Sequence, residues 1–87
     1  MNNIKYTIHR YELYGNPPVG KLVGFLITNT DTHKNEYVET LVPLEQCKNK
    51  MDSEICAMAY NNLKLQISNL IISLTSPSPI IGSEFVP

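Results

Sequence analysis

The residues of this chain that could do chemistry are few and widely spaced. His9, His33, Cys47 and Cys56 are the candidates for metal ligation or nucleophilic attack. A tetrahedral zinc site is built from close ligand pairs of the C-x-x-C or H-x-x-x-H kind. No pair here has that spacing. A cysteine nucleophile needs a base within hydrogen-bond reach and a depressed thiol pKa. Cys47 stands beside Lys48 alone, and Cys56 falls on an apolar stripe described below. Glu36, Glu39 and Glu45 are carboxylates on or near a predicted strand. There they fit the blunting of a sheet edge better than paired acid–base work. No glycine-rich stretch precedes a helix, so no phosphate cradle is expected. The expectation is a non-enzyme with no cofactor, no metal and no small-molecule substrate.

Net charge bounds the partners further. Seven Lys and Arg against eight Asp and Glu give a formal charge of −1. Nucleic-acid binders usually carry a basic excess, because phosphate contacts dominate their affinity. The groups available for such a role are Lys5, His9, Arg10 and Lys21, joined by Thr7, Tyr11 and Lys34. Glu12, Glu36 and Glu39 share their neighbourhood. Only 17% of the residues are charged, against about 25% in a typical soluble domain. The shortage is concentrated in the last third of the chain.

These residues must be positioned by a small fold, since 87 residues make one domain with a modest core. Its organising stretch is Asp52 to Leu74. Cys56, Ala59, Tyr60, Leu63, Ile67, Leu70, Ile71 and Leu74 recur at helical spacing over four turns. Asp52 or Ser53 is expected to cap this helix, with Met51 packing on its first turn. Ser76-Pro77 ends it, because the residue before proline avoids the helical region. The predicted length is roughly 33 Å, enough to cross a small sheet.

The opposite side of the helix is unusual. Met58, Leu65 and Ile72 are seven residues apart and are surrounded by Asn61, Asn62, Ser68 and Asn69. Lys64 is the only charge between Ile55 and Ser83. A helix apolar on two sides is usually covered on both. Three readings are open: the C-terminal tail folds over this ridge, a protein partner covers it, or it is ordinary surface.

Upstream, Ile4 to Tyr14 reads as a strand whose alternation slips near His9-Arg10, which suggests a β-bulge there or a strand with both faces partly covered. Gly15 to Gly20 is a turn. Lys21 to Thr30 is apolar on both faces and is expected to be the central strand, with Gly24 admitting the helix or a bend. A polar loop leads to Glu36–Val42, which ends at Pro43. Leu44 to Lys50 is a linker with room for one helical turn. Short loops pair strands as an antiparallel meander. The fold class is therefore α+β: a three-stranded antiparallel β-meander packed on one long C-terminal helix (β-β-β-α). Residues 1-76 form the domain. Residues 77-87 form an extended tail with Pro77, Pro79 and Pro87. Ile80, Ile81, Phe85 and Val86 are more apolar than a free tail usually carries.

A three-stranded sheet backed by one helix resembles, in architecture alone, the DNA-binding domains of the AP2 type and of some transposon integrases. The resemblance implies a sheet face that enters the major groove, here through Lys5, His9, Arg10 and Lys21. No motif accompanies it.

The two cysteines are expected to be free thiols in a reducing compartment, as no secretory leader is legible. No apolar run is long enough to span a membrane. The expected function is protein–protein interaction or a structural role, with Met58, Leu65, Ile72, Ile81 and Phe85 as the interface. By analogy of composition, small Asn-, Lys- and Ile-rich chains of this kind occur among phage and mobile-element products. That suggests a subunit of a larger assembly, such as a virion accessory component, held by self-association or by a larger protein. The alternatives are an inhibitor docking on a host protein and a sheet-face DNA-binding module. The expected location is cytoplasmic or within a virion.

Overall fold

A computed structural model of the chain describes residues 3–75, 84, 86 and 87. Its elements follow the predicted order. Strands β1 (Ile4–Tyr14), β2 (Gly20–Asn29) and β3 (Asn35–Pro43) form one antiparallel sheet in the order β1-β2-β3. A single helical turn, α1 (Leu44–Cys47), leads to the long helix α2 (Asp52–Thr75). The fold is α+β, with β2 central as its two apolar faces require.

The bulge falls where the alternation slips. Ile8 pairs with Phe25, Arg10 pairs with Gly24, and His9 is the extra residue between them. It resets the parity of β1, so that Ile4, Tyr6, Ile8, Tyr11 and Leu13 all share one face. The β1–β2 turn contains Gly15 at φ +98° and a cis Asn16–Pro17 bond.

The sheet face that meets the helix is now decided. Val23, Phe25 and Ile27 of β2, with Val38 and Val42 of β3, pack on Ile55, Ala59, Leu63, Ile67 and Leu74 of α2. Ile55 is a core residue that the predicted stripe omitted. Cys56 and Tyr60 sit at the margin of the same core instead. The rings of Tyr6 and Phe25 each meet Tyr60 edge-to-face, at 5.9 and 6.4 Å between centroids. The helix lies over β2 and β3 and leaves β1 largely uncovered.

Three local expectations are corrected. Gly24 faces away from the helix: the ring of Tyr37 lies across the place where its side chain would be. Met51, not Asp52 or Ser53, occupies the cap position of α2. Its N–H donates to Glu54 Oε1 at 3.1 Å, so the reach-back half of a capping box is present without the usual cap side chain. Met51 itself is exposed and makes no staple. Asp52 is drawn elsewhere, because Tyr11 Oη donates to Asp52 Oδ1 at 2.6 Å and pins the start of α2 to β1.

The far end of α2 is held by Asn29. It is buried, at 6% exposure. Its Nδ2 donates to the Leu74 carbonyl at 3.0 Å. Its Oδ1 accepts from the Asp31 and Thr32 backbone N–H groups at 2.9 and 3.3 Å. One side chain thus closes the β2–β3 turn and anchors the helix terminus. Among the described residues, no buried side-chain polar atom lacks a partner.

A candidate protein interface on the back of the helix

The back of α2 follows from the register of its core face. With Ile55, Ala59, Leu63, Ile67 and Leu74 directed at the sheet, residues half a turn away point straight outward. Leu65 and Ile72 are there, 78% and 62% exposed. Asn61, Asn62, Lys64, Gln66, Ser68, Asn69 and Ser73 around them are exposed as well. Met58, expected on this ridge, is half-buried and packs on the core. An unbranched thioether has the reach to bend round the helix, which a β-branched side chain lacks. Ile81 and Phe85, the expected contribution of the tail, lie outside the described residues.

The ridge is rigidly presented. α2 is 24 residues long, about 36 Å. It is tied at its start through Tyr11 and Asp52 and at its end through Asn29 and Leu74. Ser68 Oγ and Thr75 Oγ1 donate to the Lys64 and Ile71 carbonyls within the helix, at 3.0 and 2.7 Å. Their oxygens still point outward as acceptors.

A second apolar surface lies along β1. Ile8, at 54% exposure, and the half-exposed Tyr6 and Leu13 stand on the helix-side face beyond the edge of α2. The β1 edge is unpaired among the described residues. It carries devices that oppose pairing: the bulge at His9 and the charges of Lys5, Arg10 and Glu12. The helix ridge carries no comparable defence.

The basic residues do not form one face. Lys5, His9 and Arg10 lie on the side away from the helix. Lys21 pairs with Leu13 and Val42 and lies on the helix side, where its ammonium sits 4.7 Å from the centre of the Tyr11 ring. Its expected place beside Arg10 is therefore corrected. The reason is parity: the bulge moves Arg10, not Lys21, to the outer face. Arg10 is moreover paired with Glu12 at 2.5 Å and approaches Glu39 at 3.7 Å. The bond to Glu12 pushes the guanidinium pKa up. A shallow, open depression of about 460 Å³ lies here, lined by His9, Arg10, Leu26 and Tyr37. The His9 and Tyr37 rings meet edge-to-face at 5.7 Å. The outer face therefore offers phosphate groups little uncompensated charge.

Cys47 and Cys56 are both free and half-buried. Burial, followed by the neighbouring Asp52 carboxylate, pushes the Cys56 thiol up and keeps it from acting as a thiolate near neutral pH. Among the described residues no group of three or more His, Cys, Asp or Glu is placed to hold a metal ion, and no helix is long and apolar enough to cross a membrane. No family model matches the chain, and no curated protein or solved structure matches it either.

Proposed function

We propose that this protein is a small non-enzymatic interaction protein that uses the back of α2 as its contact surface. The observation that carries this reading is the pair Leu65 and Ile72, held outward on a rigid helix whose flanks are amides and hydroxyls with one charge, Lys64. Large apolar residues presented in this way are what a partner buries. Each contributes roughly 1.5–3 kcal/mol on full burial, before the costs of association. The composition supports a setting as one subunit of a larger assembly, such as a virion accessory component. The free thiols suit a reducing compartment or the interior of a particle.

The test is to replace Leu65 and Ile72 with Asp, singly and together, in the full chain. Association, read as solution mass and as copurification, is expected to be lost while helical circular dichroism, and the melting temperature in dilute solution, are retained. The reading fails if the variants melt at lower temperature with no change in association. That result means that the chain's own residues cover the ridge.

A further inference from the structure

We infer that the partner of the α2 ridge is a second copy of this chain, packed antiparallel across a two-fold axis between Ser68 and Asn69. The inference rests on the interaction reading above and names its occupant.

Three observations favour self-pairing. First, the two most exposed ridge residues, Leu65 and Ile72, lie symmetrically about the Ser68–Asn69 bond. A two-fold axis there sets Leu65 of each copy against Ile72 of the other. Such an isologous contact needs the same patch to be complementary to itself, and apolar Leu65 set against apolar Ile72 meets that need. Second, the residues at the axis tolerate their own copies. Ser68 and Asn69 meet themselves as hydroxyl and amide, each able to donate and accept, so no like charges are brought together. A polar pair in an apolar seam also fixes register.

Third, the charges complement each other. The last turn of α2 contains no basic residue, so the negative end of its dipole is uncompensated within the helix. Asn29 satisfies one terminal carbonyl, that of Leu74. The antiparallel arrangement carries Lys64, the single cation on the helix, beside the last turn of the opposite copy. Both Lys64 side chains find the same environment. The sheets then lie on the outer sides of a two-helix centre, and the unpaired β1 edges stay apart.

The experiment is sedimentation equilibrium on the full chain from micromolar to millimolar concentration, together with oxidative cross-linking of Ser68→Cys. A dimer of the 9.8 kDa chain is expected. Ser68→Cys is expected to form a covalent dimer that neither the wild-type chain nor Ser53→Cys, at the far end of the helix, forms. Leu65→Ala is expected to weaken the dimer on the order of 100-fold, since the residue is buried twice. Lys64→Gln should weaken it less and reduce its dependence on salt.

A wild-type monomer at millimolar concentration overturns the inference. So does a dimer that Ser68→Cys fails to cross-link. These failures are separable from failure of the interaction reading. A monomer whose stability is unchanged by Leu65→Asp leaves the ridge open to a different protein and removes only the second copy. A monomer destabilised by Leu65→Asp removes both.

Discussion

Asn29 Nδ2 donates to the Leu74 carbonyl across 45 residues of sequence, and in doing so joins the β2–β3 turn to the end of α2. The carbonyl is one of the four that every helix leaves unpaired at its C-terminus. Removing a buried partner leaves that acceptor without water, and the turn N–H groups of Asp31 and Thr32 lose theirs too. Asn29→Ala is therefore expected to lower stability by about 2–3 kcal/mol in urea unfolding. Asn29→Asp should be worse than Ala at neutral pH, because a carboxylate cannot donate and stands at the negative end of the helix. If Asp equals Asn in stability, the bond is not what holds the terminus.

The start of α2 has its own tether, from Tyr11 to Asp52. Tyr11→Phe deletes the donor alone and is expected to cost about 1–2 kcal/mol. Burial first, and then the bond to Asp52, raise the Tyr11 pKa above its ordinary value of 10.0. The neutral phenol is thus favoured in the folded state. Its stabilisation is complete below pH 10.0 and is lost as pH rises through the higher folded value. Cys56, raised from 9.0 mainly by burial, acts in the same direction from a lower starting pH. Stability measured by denaturant at successive pH values should fall above about pH 9–10, and Tyr11→Phe should flatten the upper part of that fall. A fall of equal slope in the variant would show that Tyr11 is not the group responsible.

Gly24 and Tyr37 form a coupled pair on the outer sheet face. A methyl group at residue 24 would collide with the outer part of the Tyr37 ring. The ring can swing away, at the loss of its packing. Gly24→Ala is expected to cost about 1–3 kcal/mol in the wild-type background. In a Tyr37→Ala background the same change should be close to neutral, since the obstacle is gone and alanine is less costly than glycine in a strand. Equal costs in both backgrounds would refute the coupling.

Ile67 and Leu65 are two residues apart on one helix and apolar alike, yet opposite in environment. Ile67 is 1% exposed in the core. Ile67→Ala should lower stability by about 2–5 kcal/mol in thermal or urea unfolding. Leu65→Ala, measured in dilute solution, should change it by less than about 0.5 kcal/mol. A large loss at residue 65 under dilute conditions would place it under the chain's own cover.

Much of this architecture was legible because local periodicity dictates it. The apolar stripe read from Cys56 to Leu74 has helical period and needs a surface to pack on, which the sheet supplies, although Cys56 itself lies at the margin and Ile55 in the core. The parity slip at His9-Arg10 points to a bulge or to a strand partly covered on both faces, and the register shift between Ile8 and Arg10 makes it a bulge; the two apolar faces of β2 point to its central position. The exposed pair Leu65 and Ile72 was also readable, since seven-residue spacing opposite a core stripe has to face outward. Other features depend on contacts between segments far apart in sequence, where periodicity carries no information. Which face of the sheet is inner was decided by pairing with α2, and that choice put Lys21 on the helix side and left Arg10, moved by the bulge, outside. Asp52 gave up capping for Tyr11, and Met58 turned to the core, because tertiary partners outcompeted the local ones. Gly24 received a tyrosine ring from the neighbouring strand instead of the helix. Asn29, the one buried polar residue of the described core, looks in sequence like any turn asparagine. Only the arrival of Leu74 beside it made it the lock between sheet and helix.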